Sequence, residues 1–330
     1  MEIIIPIIGG KKMRKVLMMV LCLVILTGVV FASGYTQQTS RTTYIPLVSK
    51  GFQHQFWQAV RQGAEQAAVE FGVEINFIGP ETEAMVDRQL DMLRTELSKN
   101  PSAIGFAALD SRAAIPDLRQ AVQRGIPIIA FDSGVDSDIP LTTVSTNNMA
   151  AAAEAADRMA EAIGGRGKVA VIVHDQTSRT GIERRDGFVQ RMASHYPNIE
   201  IIDIQYGGGD HLRSADIAKA VINGNPDLAG YYGANEGSAI GVVNAVNELG
   251  IAGRIVVIGF DSGRAQLDAI RSGLMYGAVQ QNPVGMGYET VRAAVRALNG
   301  ETLPTHIDSG FVWADASNLD TPRVQAVIYE

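Results

Sequence analysis

The sequence predicts an α/β protein made of two doubly wound parallel-sheet domains, and three observations lead there. From residue 42 on, short apolar runs alternate with longer amphipathic stretches, which implies parallel strands joined by helices on both faces of a sheet. The runs are continuous rather than alternating in polarity, as strands buried on both faces are. There are also about ten such units, more than a sheet of common size holds. In a chain of 330 residues, 46% hydrophobic and 19% charged, two domains share them.

Taken in order, the pattern predicts a strand over 43–48 (TYIPLV) and a helix over 53–71, where apolar residues recur at helical spacing. A strand over 73–78 (VEINFI) and a helix over 82–98 repeat the unit. Strands over 103–108 (AIGFAA) and 126–131 (IPIIAF) come next, with a helix over 111–123 between them. A second series runs strand 168–173 (KVAVIV), helix 178–194, strand 199–204 (IEIIDI), helix 210–223, strand 228–233 (LAGYYG), helix 235–249, strand 254–259 (RIVVIG), strand 276–280 (YGAVQ) and helix 283–298. Between the series lies 132–148, rich in Asp, Ser, Thr and Pro. It is the widest interval without a long helical pattern, so the main crossing between domains is expected there. The first domain is expected to comprise 42–146 plus 282–308, and the second 147–281 plus 311–330. Three hinge segments, 145–148, 281–283 and 308–310, join them, each carrying small or turn-forming residues.

Ahead of the body, Lys11, Lys12, Arg14 and Lys15 precede an apolar run over 16–30 and the small residues Ala32, Ser33 and Gly34. This is the three-part layout of a secretory signal, expected over 1–34. Met13, followed by Arg14 and Lys15, makes a tidier start for it than Met1. The run is short for a membrane span, which favours cleavage over retention as an anchor. Val20 and Leu21 before Cys22 lack the small residues of a lipoprotein signal. Cleavage would remove Cys22, the one cysteine, and take the net charge from −7 to about −10. An acidic, cysteine-free body has no basic footprint for nucleic acid, no disulfide and no cysteine metal cluster, and no cofactor is implied.

In open parallel sheets ligands bind beyond the carboxyl ends of the strands, so two such domains facing each other would form one cleft. Polar residues gather at those ends: 49–57 (SKGFQHQFW), Asp132, 174–188 (HDQTSRTGIERRDGF), 233–237 (GANEG), Phe260 with Asp261, and 280–283 (QQNP). The letters FDSG close two apolar runs, at 131–134 and 260–263, as if each domain offered one acid to a shared ligand. Plainer readings stand beside these. Asp261 with Ser262 would also cap a helix, and Asp132 would also form an Asx turn. Phe56 and Trp57 open an amphipathic helix and fit a core. Arg184 and Arg185 beside Glu183 and Asp186 fit a solvated charge cluster. His174 with Asp175 has no nucleophile or second histidine spaced near it, which argues against catalysis. The stretch 207–210 (GGGD) is neither phosphate-binding pattern and reads as a turn.

The ordered set as a whole, over about residues 42–315, resembles the bacterial periplasmic sugar-binding proteins of the ribose-binding type, exported relatives of the lactose-repressor effector domain. The resemblance implies two Rossmann-like domains on a three-segment hinge, the type I periplasmic binding fold. It also implies a receptor that hands a carbohydrate to an ABC transporter permease, in the periplasm or otherwise outside the cytoplasm, as a monomer and without an enzymatic step. Ser49 lies in the first strand-end loop, Phe56 and Trp57 stand where the family stacks paired aromatics on the sugar, and His54 stands where it has an Asn. Asp132 and Asp261 would accept from neighbouring hydroxyls, Arg184 would supply a forked donor, and Asn235 and Gln281 would bridge as donor and acceptor. Phe260 would join them at the second FDSG. The chain departs from the pattern at Ser133, where the family has an Arg, and at Ala107, where it has an Asn. Lys50 and 79–83 (GPETE) are instead similar to binders of autoinducer-2 and other sugars. A pentose other than ribose, a hexose or a polyol is therefore expected. A sensor of sugar or autoinducer-2 for a membrane signalling receptor is the second reading. A repressor would need an N-terminal helix-turn-helix where the signal stands.

Overall fold

The fold is described from a computed structural model, for residues 2–4 and 42–329. The basic and apolar stretches of the expected signal, its start at Met13 and Cys22 lie outside the described residues. The chain divides after Thr42, and both sheets belong to the unit from Thr43 on.

Strands β1 (Tyr44–Val48), β2 (Glu74–Ile78), β3 (Ile104–Phe106), β4 (Ile128–Phe131), β5 (Thr142–Ser145) and β11 (His306–Asp308) form a six-stranded sheet in the order β11-β5-β4-β3-β1-β2, parallel throughout. Strands β6 (Gly167–Val173), β7 (Ile199–Tyr206), β8 (Leu228–Gly233), β9 (Val256–Phe260), β10 (Gly277–Gln281) and β12 (Phe311–Asp315) form a second, in the order β12-β10-β9-β8-β6-β7. Here only the edge strand β12 runs antiparallel, beside β10. These are the two α/β domains that the alternation predicts.

Each sheet is buried on both faces because its strands carry apolar residues at odd and even positions alike. In the first, Ile129 and Phe131 face helices α1 (Gln55–Phe71) and α9 (Pro283–Leu298), while Ile128 and Phe106 face α2 (Val86–Ser98) and α3 (Ile115–Gln123). In the second, Val171 and Phe260 face α4 (Asn148–Ala162) and α5 (Arg179–His195). Its other face meets α6 (His211–Gly224), α7 (Glu236–Glu248) and α8 (Arg264–Ser272), and α10 (Pro322–Gln325) comes after β12. The chain passes between the sheets three times: from β5 to α4, from β10 to α9 and from β11 to β12.

The interval 132–148, marked in the sequence only by its lack of a long helical pattern, contains the strand β5. Four residues, TTVS, are too few and too polar to stand out as a buried run. Helix α4 is a second departure. Its contact face is almost all alanine, Ala151, Ala152, Ala155, Ala156 and Ala160 with Met159, so the apolar stripe is faint. The strong helix propensity of alanine, with Asn147 accepting from the Ala150 N–H at 3.1 Å as N-cap, is the signal that marks it. The short edge strands β11 and β12 also escape the pattern.

One contact ties the late return of the chain to its first helix. Where α1 and α9 cross, a Cβ on Gly63 would lie 1.8 Å from the Val284 carbonyl oxygen, and one on Gly287 would lie 1.9 Å from that of Val60. The two backbones touch, and rigid carbonyls cannot yield to a methyl group. Gly287→Ala is therefore expected to destabilise the fold by about 1–3 kcal/mol, read as a lower urea midpoint. An unchanged midpoint would show that the helices can part freely.

Candidate functional site

The two FDSG motifs occupy the same place in their sheets. Asp132 comes directly after β4 and donates its N–H to Val144 of the neighbouring β5 at 2.9 Å; Asp261 comes directly after β9 and donates to Val279 of the neighbouring β10 at 2.8 Å. Both adopt a backbone that L-residues avoid, with φ of 55° and 80°. Strain of this kind, of order 1 kcal/mol or more, persists where the surroundings enforce it. Here it turns both carboxylates away from the strand direction and into the space between the sheets.

That space is a cavity of about 20 Å³, on the order of one water. The first sheet's side lines it with Lys50, His54, Phe56, Trp57, Glu83 and Asp132, and the second's with His174, Thr180, Arg184, Asn235, Asp261 and Gln281. A wider pocket of about 460 Å³ adjoins it at Asp132 and also touches Asn148, Arg179, Glu183 and His306.

The donors and acceptors on the second wall are held in place. Arg184 donates from Nε to Asn148 Oδ1 at 2.8 Å and from Nη1 to the Ala234 carbonyl at 3.1 Å. Its guanidinium carbon lies 3.8 Å from the Phe260 ring centroid, and Nη1 is 3.8 Å from Asp261 Oδ2. Asp261 Oδ1 accepts from Gln281 Nε2 at 2.6 Å, and Gln281 Oε1 accepts from the Thr146 hydroxyl at 2.7 Å. Asn235 caps α7, its Oδ1 accepting from the Ser238 N–H at 2.9 Å.

The first wall is partly core. Phe56 and Trp57 meet edge-to-face at 4.9 Å and pack among buried apolar residues, while Trp57 Nε1 donates to Glu83 Oε1 at 2.8 Å. Glu83 lies 3.7 Å from Lys50 Nζ. Burial alone would raise its pKa, but Lys50 and then His54 draw it down to about 2. Burial likewise works against the charge on Lys50, and Glu83 and Asp175 overcome it and raise its pKa. Asp132 is different. It is 5% exposed, and among the described residues no donor stands within hydrogen-bond distance of its carboxylate. Burial pushes it up to about 6 against the pull of Lys50 and Arg184.

Residues 45–302 match the family described as the periplasmic binding protein domain. The chain belongs to the periplasmic binding protein family. It is 27% identical over 267 residues, 78% of this chain and 86% of the other, to the D-allose-binding periplasmic protein of Escherichia coli. Among solved structures, an ABC transporter solute-binding protein from Agrobacterium vitis bound with alpha-D-tagatopyranose is 33% identical with a TM-score of 0.83, covering 88% of this chain and 100% of that one. A second from the same organism, with bound D-fucose, is 29% identical with a TM-score of 0.84, covering 87% and 100%.

Within this periplasmic binding protein fold two expected site residues stand outside the cavity. Ser49 is buried and its hydroxyl donates to the Ile78 and Gly51 carbonyls at 3.1 and 3.2 Å, so it fastens the β1 loop to β2. Phe260 lies beneath Arg184 and holds the fork. His174 is buried with Nε2 3.1 Å from the Thr180 hydroxyl, and burial, helped by Lys50, lowers its pKa to about 3. Asp175 accepts from the Ser178 and Thr177 N–H groups and orders the turn. Lys50, Glu83 and Thr180 join the cavity; the sequence has Lys50 and Glu83 in the stretches similar to other sugar binders and Thr180 in the polar run 174–188, and only the fold brings them together. Among the described residues no group of His, Cys, Asp or Glu is arranged to hold a metal ion.

Asp132 carries a testable sign. Its folded pKa stands above its ordinary 3.8, so its burial costs no stability below about pH 4, a growing amount as pH rises through 6, and a constant amount above. Asp132→Asn is expected to raise stability by on the order of 1–3 kcal/mol at pH 8 and by much less at pH 4, measured by urea unfolding. A variant less stable than wild type at pH 8 would show that the acid has a partner in the fold.

Proposed function

We propose that the chain is an exported receptor that captures a neutral monosaccharide or related polyol between its two domains and delivers it to an ABC importer, without chemical change to the sugar. The observation that carries this is the pair of strand-end acids with a fixed Arg fork between the walls. Sugar hydroxyls both donate and accept, and Asp132, buried without a donor of its own, is the acceptor such a ligand satisfies. Phe56 and Trp57 supply the apolar wall that the C–H face of a sugar ring requires. The excess of carboxylates over the two cations Lys50 and Arg184 disfavours anionic sugars. His174, kept neutral and bonded to Thr180, is placed as a donor or acceptor rather than as a proton shuttle.

With a cavity of about 20 Å³, a monosaccharide enters only when the walls part. The crossings at 145–148, 281–283 and 308–310 serve as the hinge, bounding a first domain of 42–146 plus 282–308 and a second of 147–281 plus 311–330. Closure is then driven by ligand contacts that exist only when both walls meet. We further propose that the protein works as a monomer, reaches the extracytoplasmic space by a signal over 1–34, and has a permease as its partner.

Calorimetry against D-allose, D-tagatose and D-fucose tests the ligand class, with glucose 6-phosphate as an anionic control. At least one neutral sugar is expected to bind and the phosphate to fail. Asp132→Ala and Asp261→Ala are each expected to lose about 1.5–3 kcal/mol of binding free energy. Absence of binding by all neutral sugars, or wild-type affinity in both variants, would contradict the proposal.

A further inference from the structure

Glu236, at the start of α7 in the second domain, lies outside the cavity, yet its carboxylate reaches the other domain. Oε1 accepts from the Gln55 N–H and Oε2 from the Phe56 N–H, both at 3.2 Å. These are the first two amides of α1, which a helix cannot satisfy from within. The residue before them, His54, provides no side-chain cap. The helix that carries Phe56 and Trp57 into the cavity therefore takes its cap from across the cleft.

The rest of the junction is built around this contact. The Glu236 N–H donates to Asp261 Oδ2 at 3.0 Å, so one residue joins a cavity acid to the helix bearing the cavity aromatics. Tyr329, near the end of the chain, backs it. Its hydroxyl accepts from the Ser262 N–H at 3.1 Å and lies 3.4 Å from Glu236 Oε2, and its ring centroid stands 6.2 Å from that of Phe56. The domains approach closely here, for a Cβ on Gly237 would lie 2.8 Å from His54 Cε1.

We propose that Glu236 is a positioning residue that latches the closed cleft: it caps the first helix of the opposite domain, sets Phe56 and Trp57 against the bound sugar, and loses both contacts when the domains part. This rests on the sugar-receptor reading for its purpose but not for its geometry.

The groups facing Glu236 are Asp261 and Tyr329 from its own domain, His54 and Glu83 from the other, Arg184 beyond Asp261, and Arg264, whose N–H donates to Gln55 Oε1 at 2.9 Å. Burial, then the neighbouring Asp261, raises its carboxyl to about 8, with the two amides of α1 pulling it down. In the open form the carboxyl is hydrated and titrates near its ordinary value. Closing then takes up a proton, so closure is favoured as pH falls from 8.5 to 7, by about five- to tenfold. Over that window His54, its pKa lowered by burial, stays neutral, and Asp132, pushed up to about 6, is mostly ionised.

Two measurements on wild type, Glu236→Ala and Glu236→Gln test the latch, with thermal midpoints checking that each variant folds. The first is run at saturating D-allose, where the cleft is closed: hydrogen exchange at the Gln55 and Phe56 amides is expected to be tenfold or more faster in Glu236→Ala, and close to wild type at only one of the two in Glu236→Gln, whose side chain keeps a single acceptor oxygen. Equal rates in wild type and Glu236→Ala at saturating sugar would overturn the proposal. The second uses D-allose as the probe. Wild-type affinity is expected to rise as pH falls from 8.5 to 7, Glu236→Gln to be flat over the window, and Glu236→Ala to bind at least tenfold more weakly at every pH. A pH profile in Glu236→Gln that matches wild type would overturn the protonation step. If D-allose binds without protecting the two amides in wild type, the latch fails and the ligand class stands; if D-allose, D-tagatose and D-fucose all fail to bind, the ligand class is what fails.

Discussion

Asp261 is the constraint on which the cleft depends. One carboxylate oxygen holds Gln281 at the end of β10, and through it Thr146 in the crossing from β5 to α4; the other holds the backbone of Glu236 at the start of α7. A hydrogen-bonded chain thus runs from two of the three crossings, past the cavity, to the first helix of the opposite domain. Only a strained left-handed backbone at the strand end, φ 80°, places the carboxylate where it can do both. In a low-dielectric interior such a network is strong when complete and expensive when a member is missing, which makes the closed geometry well defined.

The two acids of the FDSG repeat share a backbone and differ in environment. Asp261 accepts from two protein donors, Gln281 and the Glu236 N–H, while among the described residues no donor reaches the carboxylate of Asp132 and its pKa climbs to about 6. A fold selected for stability alone would not keep an unpartnered carboxylate there. The asymmetry fits a site in which one wall is preorganised by the protein and the other is completed by what it binds, with Asp132 at the pocket's edge ready to accept from a ligand.

Much of this was legible in the sequence. Continuous apolar runs alternating with amphipathic stretches indicated the two parallel sheets, and the FDSG repeat marked equivalent strand ends, because a parallel strand must be apolar throughout and a ligand loop must not. What escaped did so for physical reasons. Alanine packs α4 without a visible stripe, β5 is four residues long, and the edge strand β11 has only three. At the site, Ser49 and Phe260 read as ligand groups from position alone, but a small hydroxyl can turn inward to backbone carbonyls and a ring can serve as the floor for a guanidinium. Lys50, Glu83 and Glu236 stand in stretches that the sequence singles out, 49–57, 79–83 and 233–237, but their burial against partners far along the chain is a property of the fold.

The central claim is that binding and closure are one event, and small-angle scattering on the protein with and without the tightest-binding neutral sugar tests it most directly. A smaller radius of gyration with sugar is predicted, since parted walls come together around the ligand. Superimposable curves at saturating sugar would contradict the account and leave a rigid binding module in its place.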